Sequence, residues 1–184
     1  MLWRGSELSS EEVRELIEAD VTERCFAAAL RLLGYRPRSR AELRQRLLRR
    51  GFSDILIDKV LMVLEQKGLV DDVAFARYWT ENRLQFRPKS ARLINLELRR
   101  KGVTPEIASE VTEGLDEESL AYRAGLQRVR VFANLTGEEF HNRLYHYLQR
   151  RGFAHAVIEA VLKRLRDDCR GSADIRGDEG YRRA

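Results

Sequence analysis

Cysteine, aromatic side chains and long apolar stretches are all scarce in this chain of 184 residues. Its two cysteines, Cys25 and Cys169, lie far apart and suggest no disulfide framework, which favours a reducing compartment. No apolar run approaches the roughly 18 residues that cross a bilayer, and the start of the chain lacks the apolar core of a signal peptide. We therefore expect a cytoplasmic protein with no membrane partner.

Motifs that carry catalysis or bind metals are missing as well. There is no glycine-rich phosphate loop, no Walker signature and no nucleophile elbow. His141 and His146 are five residues apart, so they do not share a helical face as zinc ligands spaced i, i+4 would. Adjacent acids occur at 71–72 and 117–118, where they open predicted helices and complement the positive end of the helix dipole. We predict no enzymatic activity, no metal site and no cofactor.

What the chain does contain is one signature repeated three times, with its glycines at positions 51, 102 and 152. A leucine lies four residues before each glycine, two basic residues immediately precede it, and apolar residues recur every four residues on both sides. This spacing indicates two amphipathic helices, joined by a turn in which glycine takes the left-handed conformation. Repeats of this kind bury their apolar faces against their neighbours.

Start signals support the same arrangement. Ser39 with Glu42 predicts a capping box, and Thr136 with Glu139 offers another. Second helices are predicted at 54–66 and 104–115, and an additional helix fits ahead of each pair, at 22–33, 71–86 and 117–131. No stretch alternates like a strand, so the prediction is an all-α fold of nine helices in three triplets. The predicted segments are an acidic N-terminal segment at 1–21, three-helix repeats at 22–70, 71–116 and 117–168, and a disordered tail at 169–184.

The net charge of +5 is unevenly distributed, with acids concentrated at 7–23 and bases at 36–50. This pattern suits a partner with a strong field, either nucleic acid or a protein bound to it. The helix dipole favours cations in a last turn by about 0.3–1 kcal/mol each, which offers a structural explanation for the bases before each glycine but not for those at 36–40. The candidate binding residues are Arg36, Arg38, Arg40, Arg44, Arg49, Arg50, Arg87, Lys89, Arg100, Lys101, Arg150 and Arg151.

Three binding functions differ in how they would use these residues. Sequence-specific DNA recognition needs base-reading side chains on the second helix of a pair, but the helix at 54–66 offers only Lys59 and that at 104–115 no base at all. The residues leave open a non-sequence-specific nucleic-acid-binding module that contacts phosphates. They also leave open a helical adaptor for a protein unrelated to recombination.

The order and spacing of several motifs resemble the RecX family, the modulators of the RecA recombinase. The motifs are Arg-Pro-Arg-Ser at 36–39, the glycine turn at 47–52, and Gly-Leu-Val-Asp-Asp at 68–72 followed by Phe75-Ala76. The likeness covers about residues 20 to 168. It implies three tandem three-helix repeats in an elongated, curved array that binds along the groove of the filament of RecA on single-stranded DNA. We expect the protein to be a monomer.

The resemblance also implies a regulatory outcome. The protein would inhibit or modulate the ATPase, strand exchange and co-protease activities of RecA, in DNA recombination, DNA repair and the SOS response. The family has no catalytic signature to transfer, so the twelve basic residues are the candidate contacts with RecA or single-stranded DNA. Reversing the charge at Arg38, Arg40 and Arg44 is therefore expected to weaken filament binding while leaving helicity intact.

Overall fold

The computed structural model describes residues 8–132 and 137–178, and within these ranges it contains nine α-helices and no strand. The helices are α1 Ser10–Tyr35, α2 Arg40–Leu48, α3 Asp54–Gln66, α4 Asp72–Phe86, α5 Ala91–Arg100, α6 Pro105–Glu110, α7 Glu117–Phe132, α8 Gly137–Arg150 and α9 His155–Asp178. They form three successive three-helix modules, which we number in chain order. The predicted all-α tandem-repeat fold is confirmed.

The repeated glycines end the middle helix of each module. Gly51, Gly102 and Gly152 have φ angles of 86°, 81° and 88°, the left-handed region that glycine occupies without a Cβ penalty. In the first turn, the amide of Phe52 donates to the carbonyl of Leu47. The glycine turns predicted from the sequence are confirmed.

One predicted capping box is only half formed. The hydroxyl of Ser39 accepts a hydrogen bond from the amide of Glu42 at 3.1 Å, as expected of an N-cap. The carboxylate of Glu42 does not return to the backbone of Ser39, because neighbouring basic side chains engage it instead. A complete box forms at the start of α1, between Ser9 and Glu12. Thr136, predicted to cap α8, lies outside the described residues.

Three element boundaries differ from those predicted. The capping box at Ser9 starts α1 at Ser10, so the described part of the acidic segment is largely helical and continuous with the first repeat. Helix α6 ends at Glu110, five residues early, because the chain then turns and Gly114 takes a φ of 70°. Helix α9 continues to Asp178, into the stretch predicted as a disordered tail, whose residues 179–184 lie outside the described part.

The chain divides into two compact units. The first comprises Met1–Ala76 together with the turn Lys101–Val103. Its core is formed by the apolar faces of α1, α2 and α3, with fully buried Cys25, Leu43, Leu47 and Leu61. Phe75, which follows the Gly-Leu-Val-Asp-Asp motif, is also buried in this unit.

The second unit comprises Arg77–Arg100 and Thr104–Ala184. Its main described core lies among α7, α8 and α9, with Leu144, Leu148 and Leu162 almost completely buried. The leucine four residues before each repeated glycine therefore faces a core in both units, as its spacing predicted.

Within the first unit, the start of α2 packs against the glycine turn of the second module. The hydroxyl of Ser39 donates to the carbonyl of Lys101. A Cβ at Gly102 would overlap the Cβ of Ala41, well inside the 3.0 Å that real Cβ atoms keep. The amide of Arg40 donates to the carboxylate of Asp72 at 2.8 Å, and burial raises the pKa of that carboxyl.

The second unit contains the equivalent contact between the second and third modules. The amide of Ser90 donates to the carbonyl of Arg151 at 3.0 Å, and a Cβ at Gly152 would overlap the hydroxyl of Ser90. The amide of Ala91 donates to the carboxylate of Glu117 at 2.6 Å. We call this recurring serine–glycine packing the module joint. Asp72 and Glu117 are among the predicted helix-opening acids. Each also accepts a hydrogen bond from a first-turn amide of a helix in the preceding module, which has no partner within its own helix.

Candidate cationic binding surface

Glu42 is the centre of the largest basic cluster in the first unit. Its carboxylate lies 2.5 Å from guanidinium nitrogens of both Arg36 and Arg38, and 3.4 Å from Nε of Arg46 and from the ammonium nitrogen of Lys101. Burial raises the pKa of Glu42, but the hydrogen bond from Arg36 and the charges of Lys101, Arg36 and Arg38 outweigh it, so the pKa falls from 4.5 to about 2. Three of the predicted binding residues thus neutralise one internal acid.

Arg38 is the most deeply placed member of this cluster. Its side chain is only 7% exposed, and its Nε donates to the carbonyl of Leu32 at 2.9 Å. Burial and the charge of Arg36 lower the pKa of Arg38, while the charge of Glu42 opposes this. A guanidinium held in this way is a structural element, and it is not available to an approaching partner.

Arg40 and Arg44 lie on α2 and reach acids of α3. The guanidinium of Arg40 lies 2.8 Å from Glu65 and 3.4 Å from Asp58, while that of Arg44 lies 2.6 Å from Asp54. These pairs are partly exposed, and such pairs contribute only about 0.2–1 kcal/mol each. Both arginines keep some exposure but are already paired within the chain.

Glu97 is the acid at the centre of a similar cluster in the second unit, although it lies at a different position of the repeat. It accepts hydrogen bonds from Nε1 of Trp79 at 3.0 Å and from Nε of Arg83 at 2.7 Å, and it also pairs with Lys89. The guanidinium of Arg83 lies 4.1 Å from the centre of the Trp79 ring. Burial raises the pKa of Glu97, but the hydrogen bonds from Arg83 and Lys89 outweigh it and lower that pKa. Lys89 therefore has an internal partner too.

Arg151 is half-buried in the turn that follows α8. Its Nη1 donates to the carbonyl of Pro88 at 2.9 Å, and its guanidinium lies 4.8 Å from the centre of the Tyr147 ring. The structure thus engages seven of the twelve predicted binding residues in contacts of the chain's own: Arg36, Arg38, Arg40, Arg44, Lys89, Lys101 and Arg151.

The other five predicted residues are exposed, and no carboxylate of the described chain lies within 4.0 Å of their guanidinium groups. They are Arg49, Arg50, Arg87, Arg100 and Arg150. All but Arg87 lie in the last turn of a middle helix or directly after it, at the repeated position before the glycine. The repeat therefore presents arginine to solvent at the same place in all three modules.

Four of the predicted residues line one pocket of the second unit, with a volume of about 440 Å³. They are Arg87, Lys89, Arg150 and Arg151. Sequence reasoning missed the other lining residues, Arg83, Arg128 and Tyr147. The spacing of Arg83 and Arg87, four residues apart and thus on one helical face, could have indicated the first, whereas Arg128 on α7 has no such signal.

Other kinds of site are not apparent in the part of the chain that the structure describes. No group of three or more histidine, cysteine, aspartate or glutamate side chains there is arranged to hold a metal ion. None of its helices has the length and apolar content to cross a membrane. Fold and surface together define a tandem helical-repeat protein with cationic turns, a class that uses repeated surface groups to bind other macromolecules.

Comparison with protein families shows to which family of helical-repeat proteins this chain belongs. The first three-helix domain of RecX matches residues 25–61, the second residues 71–111 and the third residues 116–162. The matches follow the three modules in order. The chain belongs to the RecX family of regulatory proteins.

Named relatives agree with this assignment. The regulatory protein RecX of Chlorobium limicola is 37% identical over 139 residues, which cover 76% of this chain and 87% of the relative. That of Prosthecochloris aestuarii is 36% identical over 146 residues, or 78% and 95% of the two chains. That of Streptomyces coelicolor is 29% identical over 96% of both.

Solved structures share the fold. The crystal structure of RecX from Lactobacillus salivarius superimposes with a TM-score of 0.65 at 20% identity, covering 80% of this chain and 97% of that one. A second crystal structure, of regulatory protein RecX, gives a TM-score of 0.69 at 21% identity, covering 87% and 82%.

Proposed function

We propose that this protein binds the filament of RecA on single-stranded DNA and modulates the ATPase, strand exchange and co-protease activities of RecA. Membership of a family of regulatory proteins gives the role. The observation that carries the proposed mode of binding is the repeated exposed arginine at the glycine turns, exemplified by Arg49, Arg50 and Arg100. A filament repeats its binding sites, and a partner that repeats its own cations can contact more than one of them.

The cationic turns suit such a partner for electrostatic reasons. Guanidinium groups recognise carboxylates and phosphates through paired hydrogen bonds. Several weak contacts on one chain raise the overall affinity, because each further contact becomes intramolecular. We therefore assign the primary contacts to Arg49, Arg50, Arg100 and Arg150, and assign Arg36, Arg38 and Lys101 to maintaining the first unit.

The first test is the single-stranded-DNA-dependent ATPase of cognate RecA, titrated with this protein at less than one molecule per RecA. We expect inhibition well below equimolar amounts for the wild-type chain. The variant Arg49→Glu with Arg50→Glu is expected to require several-fold more protein. The matched control reverses two exposed arginines of α1, Arg14→Glu with Arg31→Glu, and changes the net charge equally.

Charge reversal at Arg38 would be a poor test, because it places a carboxylate at a buried position beside Glu42 and is expected to unfold the first unit. No effect of wild-type protein on RecA up to equimolar amounts at moderate salt would contradict the proposed function. If the turn variant and the α1 control weakened inhibition of RecA equally, the proposed function would stand. The assignment of the primary contacts to the glycine turns would then be contradicted.

A direct nucleic-acid-binding module is the second candidate, and the cationic pocket of about 440 Å³ favours it. Tight, salt-dependent binding to naked single-stranded DNA that RecA does not change would support this alternative.

A further inference from the structure

The pocket of the second unit concentrates positive charge in a concave site. Six of its lining residues are cations, contributed by the last turns of α4 and the segment that follows, by α7, and by the end of α8 with its turn: Arg83, Arg87, Lys89, Arg128, Arg150 and Arg151. Tyr147 is the remaining residue of the wall. A volume of about 440 Å³ lies within the range of small-ligand sites, roughly 300–1,000 Å³.

Ion pairs within the described residues engage only two of these six cations. Glu97 pairs with two of the cations, Arg83 and Lys89. Within the described residues, no carboxylate lies within 4.0 Å of Arg87, Arg128 or Arg150. Within the described residues, the pairs with Glu97 are thus the only ion pairs that these six cations make with a carboxylate.

The cations are close enough to repel one another. Burial lowers the pKa of Arg151, and the charges of Arg128, Arg87 and Arg83 lower it further, whereas Tyr147 opposes the change. The guanidinium groups of Arg151 and Arg128 lie 4.8 and 5.0 Å from the centre of the same Tyr147 ring. Packing thus holds like charges together at an electrostatic cost, which a bound anion would offset.

The pocket wall also contains an unsatisfied polar atom. Tyr147 is only 8% exposed, and its buried hydroxyl has no hydrogen-bond partner within the described structure. A phenol hydroxyl both donates and accepts, and buried polar groups without partners are uncommon in proteins. The ring itself is too buried to stack on a nucleobase, so the pocket offers contacts to phosphates and none to bases.

We propose that this pocket binds phosphate groups, with Arg87, Arg128, Arg150 and Arg151 as the principal ligands. The same chemistry would recognise the phosphodiester backbone of a single-stranded nucleic acid or a free polyphosphate. Recognition would be independent of base sequence, because guanidinium–phosphate contacts carry no sequence information. The proposal concerns this chain alone, without RecA, so it can fail while the proposed function stands, and the reverse also holds.

The experiment measures fluorescence anisotropy of a labelled oligothymidylate with the full chain at several salt concentrations. The pocket variant is Arg87→Gln with Arg150→Gln, both exposed and therefore tolerated by the fold. The control is Arg92→Gln with Arg143→Gln, two exposed arginines of the same unit outside the pocket. Circular dichroism checks that both variants remain helical.

We expect the pocket variant to bind about tenfold more weakly, and its salt slope to fall by about 1.4, because each phosphate contact with a single strand contributes about 0.7. In the control variant, the loss of affinity and the fall in salt slope are each expected to be less than half as large. Competition by inorganic tripolyphosphate at a comparable phosphate concentration would identify a free polyphosphate as the ligand, whereas competition only by unlabelled oligothymidylate would identify the nucleic-acid backbone. Equal losses in the two variants, or no binding of either ligand by the wild-type chain, would overturn the proposal.

Discussion

The module joint predicts that two of the repeated glycines, Gly51 and Gly102, respond differently to the same substitution. Alanine at Gly51 has open space around its Cβ and a φ of 86°, so it should cost only the left-handed penalty of about 1–2 kcal/mol. Alanine at Gly102 adds an overlap with Ala41, and overpacking of this kind costs about 1–3 kcal/mol more. We therefore expect Gly102→Ala to cost about 2–5 kcal/mol and Gly51→Ala to cost about 1–2.

A size exchange isolates the overlap from the backbone conformation. In the double variant Ala41→Gly with Gly102→Ala, the overlapping methyl group is moved to the opposite side of the joint. Ala41→Gly alone should cost up to about 1 kcal/mol, because glycine is a poor helix former. If the overlap is real, the double variant should be about 1–3 kcal/mol more stable than the sum of the single costs predicts.

Urea denaturation followed by circular dichroism measures these differences in the free energy of unfolding. They are calculated from the transition midpoints with one m-value for all variants. The result that would refute the reasoning is Gly102→Ala being no more destabilising than Gly51→Ala. Strict additivity in the size exchange would refute it equally, because the two positions would then not be in contact.

Three further predictions follow from buried or capping groups. Glu42→Gln should lower the free energy of unfolding by about 3 kcal/mol, since a fall in the pKa of Glu42 from 4.5 to about 2 corresponds to that free energy. This stabilisation is present above pH 4.5 and is lost as the pH falls towards 2. In acid titrations the unfolding free energy of the variant should therefore decline less steeply than that of the wild-type protein. In a Cys169→Ser background, Cys25 should react with a thiol reagent only on unfolding, because it is fully buried and burial raises its pKa; rapid labelling of the native protein would contradict this. Glu117→Ala should lower stability by about 1 kcal/mol through loss of the bond to Ala91, measured by thermal melting, and an unchanged midpoint would exclude that role.

The fold was predictable because its determinants are local in the sequence. Leucine spacing defines helical faces, serine at 39 and glycine at 51, 102 and 152 define helix ends, and repetition defines the module count. The predicted helix boundaries were wrong where the sequence signal for a helix end is weak. The capping serine Ser9 lies before a long acidic run and was not recognised as the start of α1, and α6 ends at a turn that its apolar spacing did not indicate.

The candidate site was less predictable because ion pairing depends on tertiary contacts. Lys101 and Glu42 are 59 residues apart and meet only after the module joint forms. The sequence identified a surplus of basic residues but could not distinguish Arg38, buried and bonded to backbone and carboxylate, from Arg50, which is exposed. The Arg-Pro-basic-Ser segments, interpreted as anion contacts, also build the joint through Ser39 and Ser90, while Arg87 of the second segment stays exposed.

The module joint is asymmetric, because one module contributes a serine and the next contributes a glycine turn. The first module contributes the serine of a joint. Its own glycine turn is open, since beyond the chain neighbours no atom of the described residues lies within 4 Å of a Cβ at Gly51. The third offers the glycine half and lacks an Arg-Pro-basic-Ser segment. Only the middle module contributes both a packed serine and a packed glycine turn. Each joint therefore brings together two different surfaces, which is a heterologous contact, and the first and last modules act as caps. A gene duplication of the middle module alone would therefore lengthen the array, whereas a copy of either cap would terminate it.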